Sequence, residues 1–91
     1  MVKHYNIRID GRVQGVGFRY AARNIARSYG INGFVRNEPD GTVYIEAEGE
    51  EKNLNRYLAW CRKGPSMSYV TEVNFEEGEI KPFPSYFSVD F

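Results

Sequence analysis

The chain is short of most of what catalysis and covalent stapling usually draw on. Its 91 residues include one cysteine, one histidine and one tryptophan. The single cysteine, Cys61, has no internal partner for a disulfide, and because it falls in an apolar helical stripe it is expected to pack as a small hydrophobe. The single histidine, His4, stands on the polar side of the first strand with no cysteines or carboxylates at ligand spacing, so no metal site is expected. No apolar run approaches the ~18–20 residues of a membrane span, and Met1 leads directly into polar sequence rather than into a secretory-type apolar stretch. A cytoplasmic protein with no membrane partner is the expectation. The formal net charge is zero, which argues against a general nucleic-acid binder.

What is present is ordinary globular usage: 42% apolar and 26% charged residues, too apolar for disorder. A chain of this size is expected to form one domain over residues 1–91, burying about 60–65% of its unfolded surface around one core. Nothing in it specifies self-association, and a monomer is expected. The charges are uneven. Through Arg36 there are seven basic residues and one acidic residue, and beyond it five basic and eleven acidic. Arg19, Arg23 and Arg27 recur four apart and share a helix face, where the last two read as a solvated surface.

Tyr5, Ile7 and Ile9 alternate with polar residues, the period of a strand with one buried face. Phe18, Ala22, Ile25, Ala26 and Tyr29 recur at helical spacing, with Gly30 placed as a left-handed terminator. Ile31 to Asn37 and the alternating Val43, Ile45 and Ala47 flank the turn Glu38-Pro39-Asp40-Gly41, which predicts a hairpin. A second helix is predicted from about Glu50 to Arg62 with a stripe of Leu54, Tyr57, Leu58 and Cys61, ended by Gly64-Pro65. Thr71, Val73 and Phe75 then alternate, and Phe87, Val89 and Phe91 face one way in a last short strand. The order β-α-β-β-α-β is the ferredoxin-like split βαβ arrangement: an α+β sandwich of two helices on one face of an antiparallel-dominated sheet of four to five strands. The acidic loop from Glu76 to Pro84 reads as an exposed connection.

Between the first strand and first helix lies Gly11-Arg12-Val13-Gln14-Gly15-Val16-Gly17-Phe18-Arg19. Gly15 and Gly17 can take backbone angles closed to other residues, so that successive N–H groups converge on one centre. The N-terminus of the helix beginning near Phe18 adds unsatisfied N–H groups and the positive end of its dipole. Arg19 contributes a planar fork of donors matched to two phosphoryl oxygens. The ligand suited to such a cradle, built from Gln14, Gly15, Val16, Gly17, Phe18 and Arg19, is phosphate, with inorganic phosphate or sulfate as product-like ligands.

This run resembles one signature of the acylphosphatase family. Gly33-Phe34-Val35-Arg36-Asn37-Glu38-Pro39-Asp40-Gly41-Thr42-Val43 resembles the other. Looser similarity runs through Trp60 to Pro65 and into the ending from Tyr86 to Phe91, so the resemblance spans essentially the whole chain. It implies hydrolysis of acyl phosphates to a carboxylate and inorganic phosphate, without metal, cofactor or covalent intermediate. Arg19 matches the family's phosphate-binding arginine, and Asn37 its water-orienting asparagine. Strand order read from the sequence does not by itself bring Asn37 to the glycine loop; their proximity is implied by the resemblance.

The side chains near the loop agree with an activated substrate. No serine or cysteine adjoins it as a nucleophile, and Asp10 and Asp40 read as strand-surface and turn residues. A phosphate ester expels an alkoxide and needs acid or metal assistance, whereas an acyl phosphate expels a carboxylate whose conjugate acid has a pKa of about 4. Tyr20 could shape the acyl side but is not counted among the site residues, and Trp60 reads as a packing residue. One rival is an RNA-binding sheet. Against it, the strand Thr42 to Glu48 carries two glutamates beside Tyr44 and lacks the basic-glycine-aromatic pattern of an RNA-recognition strand. Another is a carbamoyl-phosphate-binding domain of a larger maturation protein, of which this chain would be a fragment.

Overall fold

The computed structural model describes residues 1–81 and 83–90. The elements are β1 (Val2–Arg12), α1 (Phe18–Ser28), β2 (Asn32–Asn37), β3 (Val43–Glu50), α2 (Glu51–Lys63), β4 (Tyr69–Gly78) and β5 (Phe87–Asp90). The five strands form one sheet in the order β4-β1-β3-β2-β5, antiparallel except where β2 meets β5. The ferredoxin-like expectation holds, with the fifth strand in place. The predicted orientation of Phe91 lies outside the described residues.

Alternation decides which face of the sheet is covered. Tyr5, Ile7 and Ile9 pair across to Ala47, Ile45 and Val43, and all six are buried under the helices. Helix α1 contributes Phe18, Ala22 and Ala26, and α2 contributes Leu54, Tyr57, Leu58 and Cys61. Small alanines on α1 leave room for the large Tyr57, whose hydroxyl donates to the Ala22 carbonyl at 2.9 Å, joining the helices with its one polar atom satisfied. Cys61 is buried, and desolvation pushes its thiol well above the ordinary range. Trp60 packs against Phe18 and Tyr57, with ring centroids 5.4 and 6.0 Å away. Gly30 ends α1 with φ 66°, while the Ile31 N–H reaches back to the Ala26 carbonyl at 2.9 Å.

Two expectations change. The alternation assigned to Thr71, Val73 and Phe75 breaks at a bulge: Asp10 pairs with Glu72 but Gly11 with Val70, so Thr71 is the extra residue and Val70 packs on the core. Most described residues from Glu76 to Pro84 are exposed, as expected, but Glu76 to Gly78 belong to β4 and the rest is not a free connection. Because β4 and β5 lie at opposite edges and the helices occupy one face, their connection must cross the other face. It does so as a strap: Phe83 stacks on His4 at 5.3 Å and meets Phe34 edge-on at 6.2 Å. The Lys81 N–H donates to Glu48 at 2.7 Å, and its ammonium to Glu46 at 2.8 Å. His4, expected on a polar surface, is therefore completely buried, with Nδ1 3.1 Å from Glu48 and Nε2 3.0 and 3.1 Å from Asn6 and Glu46. Burial alone would raise the Glu46 carboxyl, but hydrogen bonds from Lys81 and Tyr44 outweigh it and hold it below its ordinary value.

Candidate active site

Strands β1 and β2 are each antiparallel to β3, hence parallel to one another, and their C-terminal ends lie at the same end of the sheet. The row Ile9, Val43, Asn37 crosses the three strands, which places Asn37 on the helix-bearing face beside the start of α1. The proximity that strand order had left open thus follows from two shared pairings with one middle strand, without appeal to unusual twist or stagger.

The loop leaves β1 and enters α1 through two left-handed glycines, Gly15 with φ 73° and Gly17 with φ 78°. A Cβ added at either would meet nothing within 4 Å, so it is the backbone conformation that calls for glycine, not lack of room. Gly17 caps α1 without any side-chain hydrogen bond. The first helical bond runs from the Ala21 N–H to the Gly17 carbonyl at 3.1 Å; N–H groups ahead of it have no helical acceptor to reach. No acidic residue occupies the first turn to neutralise this positive end.

A hollow of about 220 Å³ opens here, lined by Val13, Gly15, Gly17, Phe18, Arg19, Tyr20 and Asn37. Arg19 is half-buried, its Nη1 3.4 Å from the Asp90 carbonyl of β5, so its guanidinium lies between the loop and the end of the sheet. Asn37 Oδ1 is buried and accepts no hydrogen bond among the described residues. Leaving such an acceptor unsatisfied costs about 1–3 kcal/mol, which makes the position a strong candidate for contact with a donor that arrives with substrate or solvent.

Of the sequence-derived site residues, Gly15, Gly17, Phe18, Arg19 and Asn37 converge on this hollow. Phe18 does so while 1% exposed, as the floor where site and core meet. The side chains of Gln14 and Val16 turn elsewhere: Val16 packs against the core, and Gln14 reaches across to the β2–β3 turn. The lining role of Val13 was missed, since a valine at a strand end carries no chemical signal. Tyr20 stands at the rim, half exposed, with Arg23 5.4 Å from its ring centre. Asp10 does not line the hollow. Asp40 accepts from the Thr42 N–H and hydroxyl at 3.0 and 2.7 Å, bonds that hold its carboxyl below its ordinary value and close the turn.

A larger hollow, about 400 Å³, lies on the opposite face among Asn6, Arg8, Tyr44, Asn74, Phe75 and Glu76. It lacks a helix terminus and a glycine turn, and it is lined by an acidic residue, Glu76, as well as by Arg8. Size alone would choose it; the convergence of donors chooses the smaller one.

Comparisons with known proteins identify the family. The family model for acylphosphatase matches residues 5–89. An acylphosphatase of Thermotoga maritima is 50% identical over 76 residues, 84% of each chain. The crystal structure of acylphosphatase from Bacillus subtilis superposes with a TM-score of 0.93 at 37% identity, covering both chains completely. Full-length HypF, solved in a phosphate- and nucleotide-bound form, contains a similar unit, with a TM-score of 0.89 and 34% identity over 12% of its length. On the family model, the curated relatives and the solved structures together, this chain belongs to the acylphosphatase family.

Proposed function

We propose that this chain hydrolyses the carboxyl–phosphate anhydride of acyl phosphates, binding the phosphoryl group in the 14–19 loop and directing water with Asn37. The phosphoryl oxygens would be held by the loop N–H groups, the α1 N-terminus and the Arg19 fork. These donors can follow the charge as it redistributes during in-line displacement. Asn37 offers an acceptor and two donors: it can orient a water but is too weak a base to deprotonate it. The leaving carboxylate needs no general acid. We assign the proton of the attacking water to the substrate's own phosphate oxygens, and the reaction runs without a metal ion.

The single observation that carries this reading is that Asn37, whose buried Oδ1 has no hydrogen-bond partner among the described residues, lines the same hollow as the glycine loop and Arg19. It is tested by comparing benzoyl phosphate with p-nitrophenyl phosphate as substrates, in the presence of chelator. Rapid cleavage of the acyl phosphate alone is expected. Comparable cleavage of both, or activity that disappears with chelation, would contradict the proposal.

A further inference from the structure

The pairing of β1 with β3 ends at Ile9 and Val43, after which β1 continues to Arg12 along β4 only. Beyond that pair no strand pairing joins the glycine loop to the β2–β3 turn. What bridges the gap is Gln14. Its Nε2 donates to two carbonyl oxygens, Glu38 at 2.8 Å and Thr42 at 2.9 Å. Two carbonyl acceptors at one terminus identify that terminus as the amide nitrogen, which has two hydrogens to give. The turn closes upon itself at the same places: the Glu38 N–H donates to Thr42 at 2.9 Å, and the Gly41 N–H to Glu38 at 3.1 Å. Gln14 thus takes the remaining acceptor capacity of both carbonyls. Glu38 and Thr42 directly flank the Asn37–Val43 pair that ends the β2–β3 ladder. Among the described residues, no other hydrogen bond joins segment 13–17 to segment 38–42.

We propose that the Gln14 side chain is a positioning residue for the reaction, fixing Asn37 relative to the phosphate cradle. The proposal rests on the roles assigned above to Asn37 and Arg19. The Gln14 side chain contacts no reacting atom in this scheme. It holds together two separately built halves of the site: the loop that grips phosphate and the strand end that orients water. Displacing a reacting group by about 1 Å can cost on the order of 10²-fold in rate. Phosphate binding belongs to one half alone and should survive loss of the bridge.

The test is Gln14→Met, which keeps side-chain length and removes both donors, with Gln14→Glu carried in parallel in case the first variant does not fold. Steady-state hydrolysis of benzoyl phosphate and competitive inhibition by inorganic phosphate are measured for each, alone and combined with Asn37→Ala. With Asn37 intact, kcat should fall by about 10–100-fold while the phosphate inhibition constant changes less than about threefold. When Asn37→Ala is already present, the same change at Gln14 should cost less than about twofold, because a residue acting through Asn37 has nothing left to position. Wild-type kcat in the Gln14 variants overturns the proposal. So does a parallel loss of phosphate affinity, or an equal loss in both backgrounds. Full turnover in Asn37→Ala alone would instead remove the role of Asn37, and the positioning role with it.

Discussion

The two faces of the sheet treat buried polar groups in opposite ways. On the strap-covered face, His4 is completely buried yet both ring nitrogens have oxygen partners, and Glu46 and Glu48 are also bonded to the strap. On the helix-bearing face, at the end of β2, Asn37 keeps a buried oxygen with no partner among the described residues. A closed network leaves no hydrogen-bonding capacity for a ligand and contributes to stability; an open acceptor beside convergent donors is poised for one. The difference separates scaffold from proposed site more sharply than cavity volume, which favours the other face.

Several substitutions should break that contrast if it is mistaken. The largest effect is expected at Arg19: Arg19→Lys keeps the charge but loses the planar fork, and kcat/KM for benzoyl phosphate should fall by about 10²–10³-fold with the melting temperature little changed. Loss of stability with activity per folded molecule intact would move Arg19 to the scaffold side. At His4 the opposite pattern is expected. His4→Leu leaves two carboxylates without their buried partner and should destabilise by about 2–4 kcal/mol in urea unfolding, while kcat stays within about twofold. A stable His4→Leu enzyme would mean that the strap network contributes little.

The smallest effect concerns the turn beneath Asn37. The folded-state Asp40 carboxyl lies below its ordinary value because of its bonds to Thr42. A carboxyl lowered on folding contributes stability above its unfolded pKa and loses that contribution as pH falls through the folded one. Protection of the Thr42 amide from hydrogen exchange should therefore weaken in acid in the wild type, and show no such acid-dependent weakening in Asp40→Ala. Identical profiles would show that the Asp40 contacts do not hold the turn.

Much of this was legible in the sequence because it is local. Strand alternation, helical stripes, Gly30, the Glu38–Gly41 turn and the glycine loop with Arg19 each depend on neighbours within a few residues. Asn37 was legible only through resemblance, since its place beside the loop requires knowing that β1 and β2 share β3. The strap was missed for a related reason: the residues from Glu76 to Pro84 look like surface loop until the strand order puts β4 and β5 at opposite edges. With that order, a crossing is unavoidable and a buried His4 beneath it becomes intelligible. The bulge at Asp10 and Gly11 also had no pattern of its own, although a Cβ at Gly11 would run into the backbone of Tyr69, which fits its glycine. The reach of Gln14 joins segments more than twenty residues apart and could not be read from spacing.

If phosphate grip and water orientation reside in different residues, Asn37→Ala should separate kcat for benzoyl phosphate from the inhibition constant of inorganic phosphate measured beside it. A loss in kcat of at least about 100-fold with the inhibition constant within about threefold of wild type is predicted. Unchanged kcat, or kcat and phosphate affinity falling together, would contradict the account.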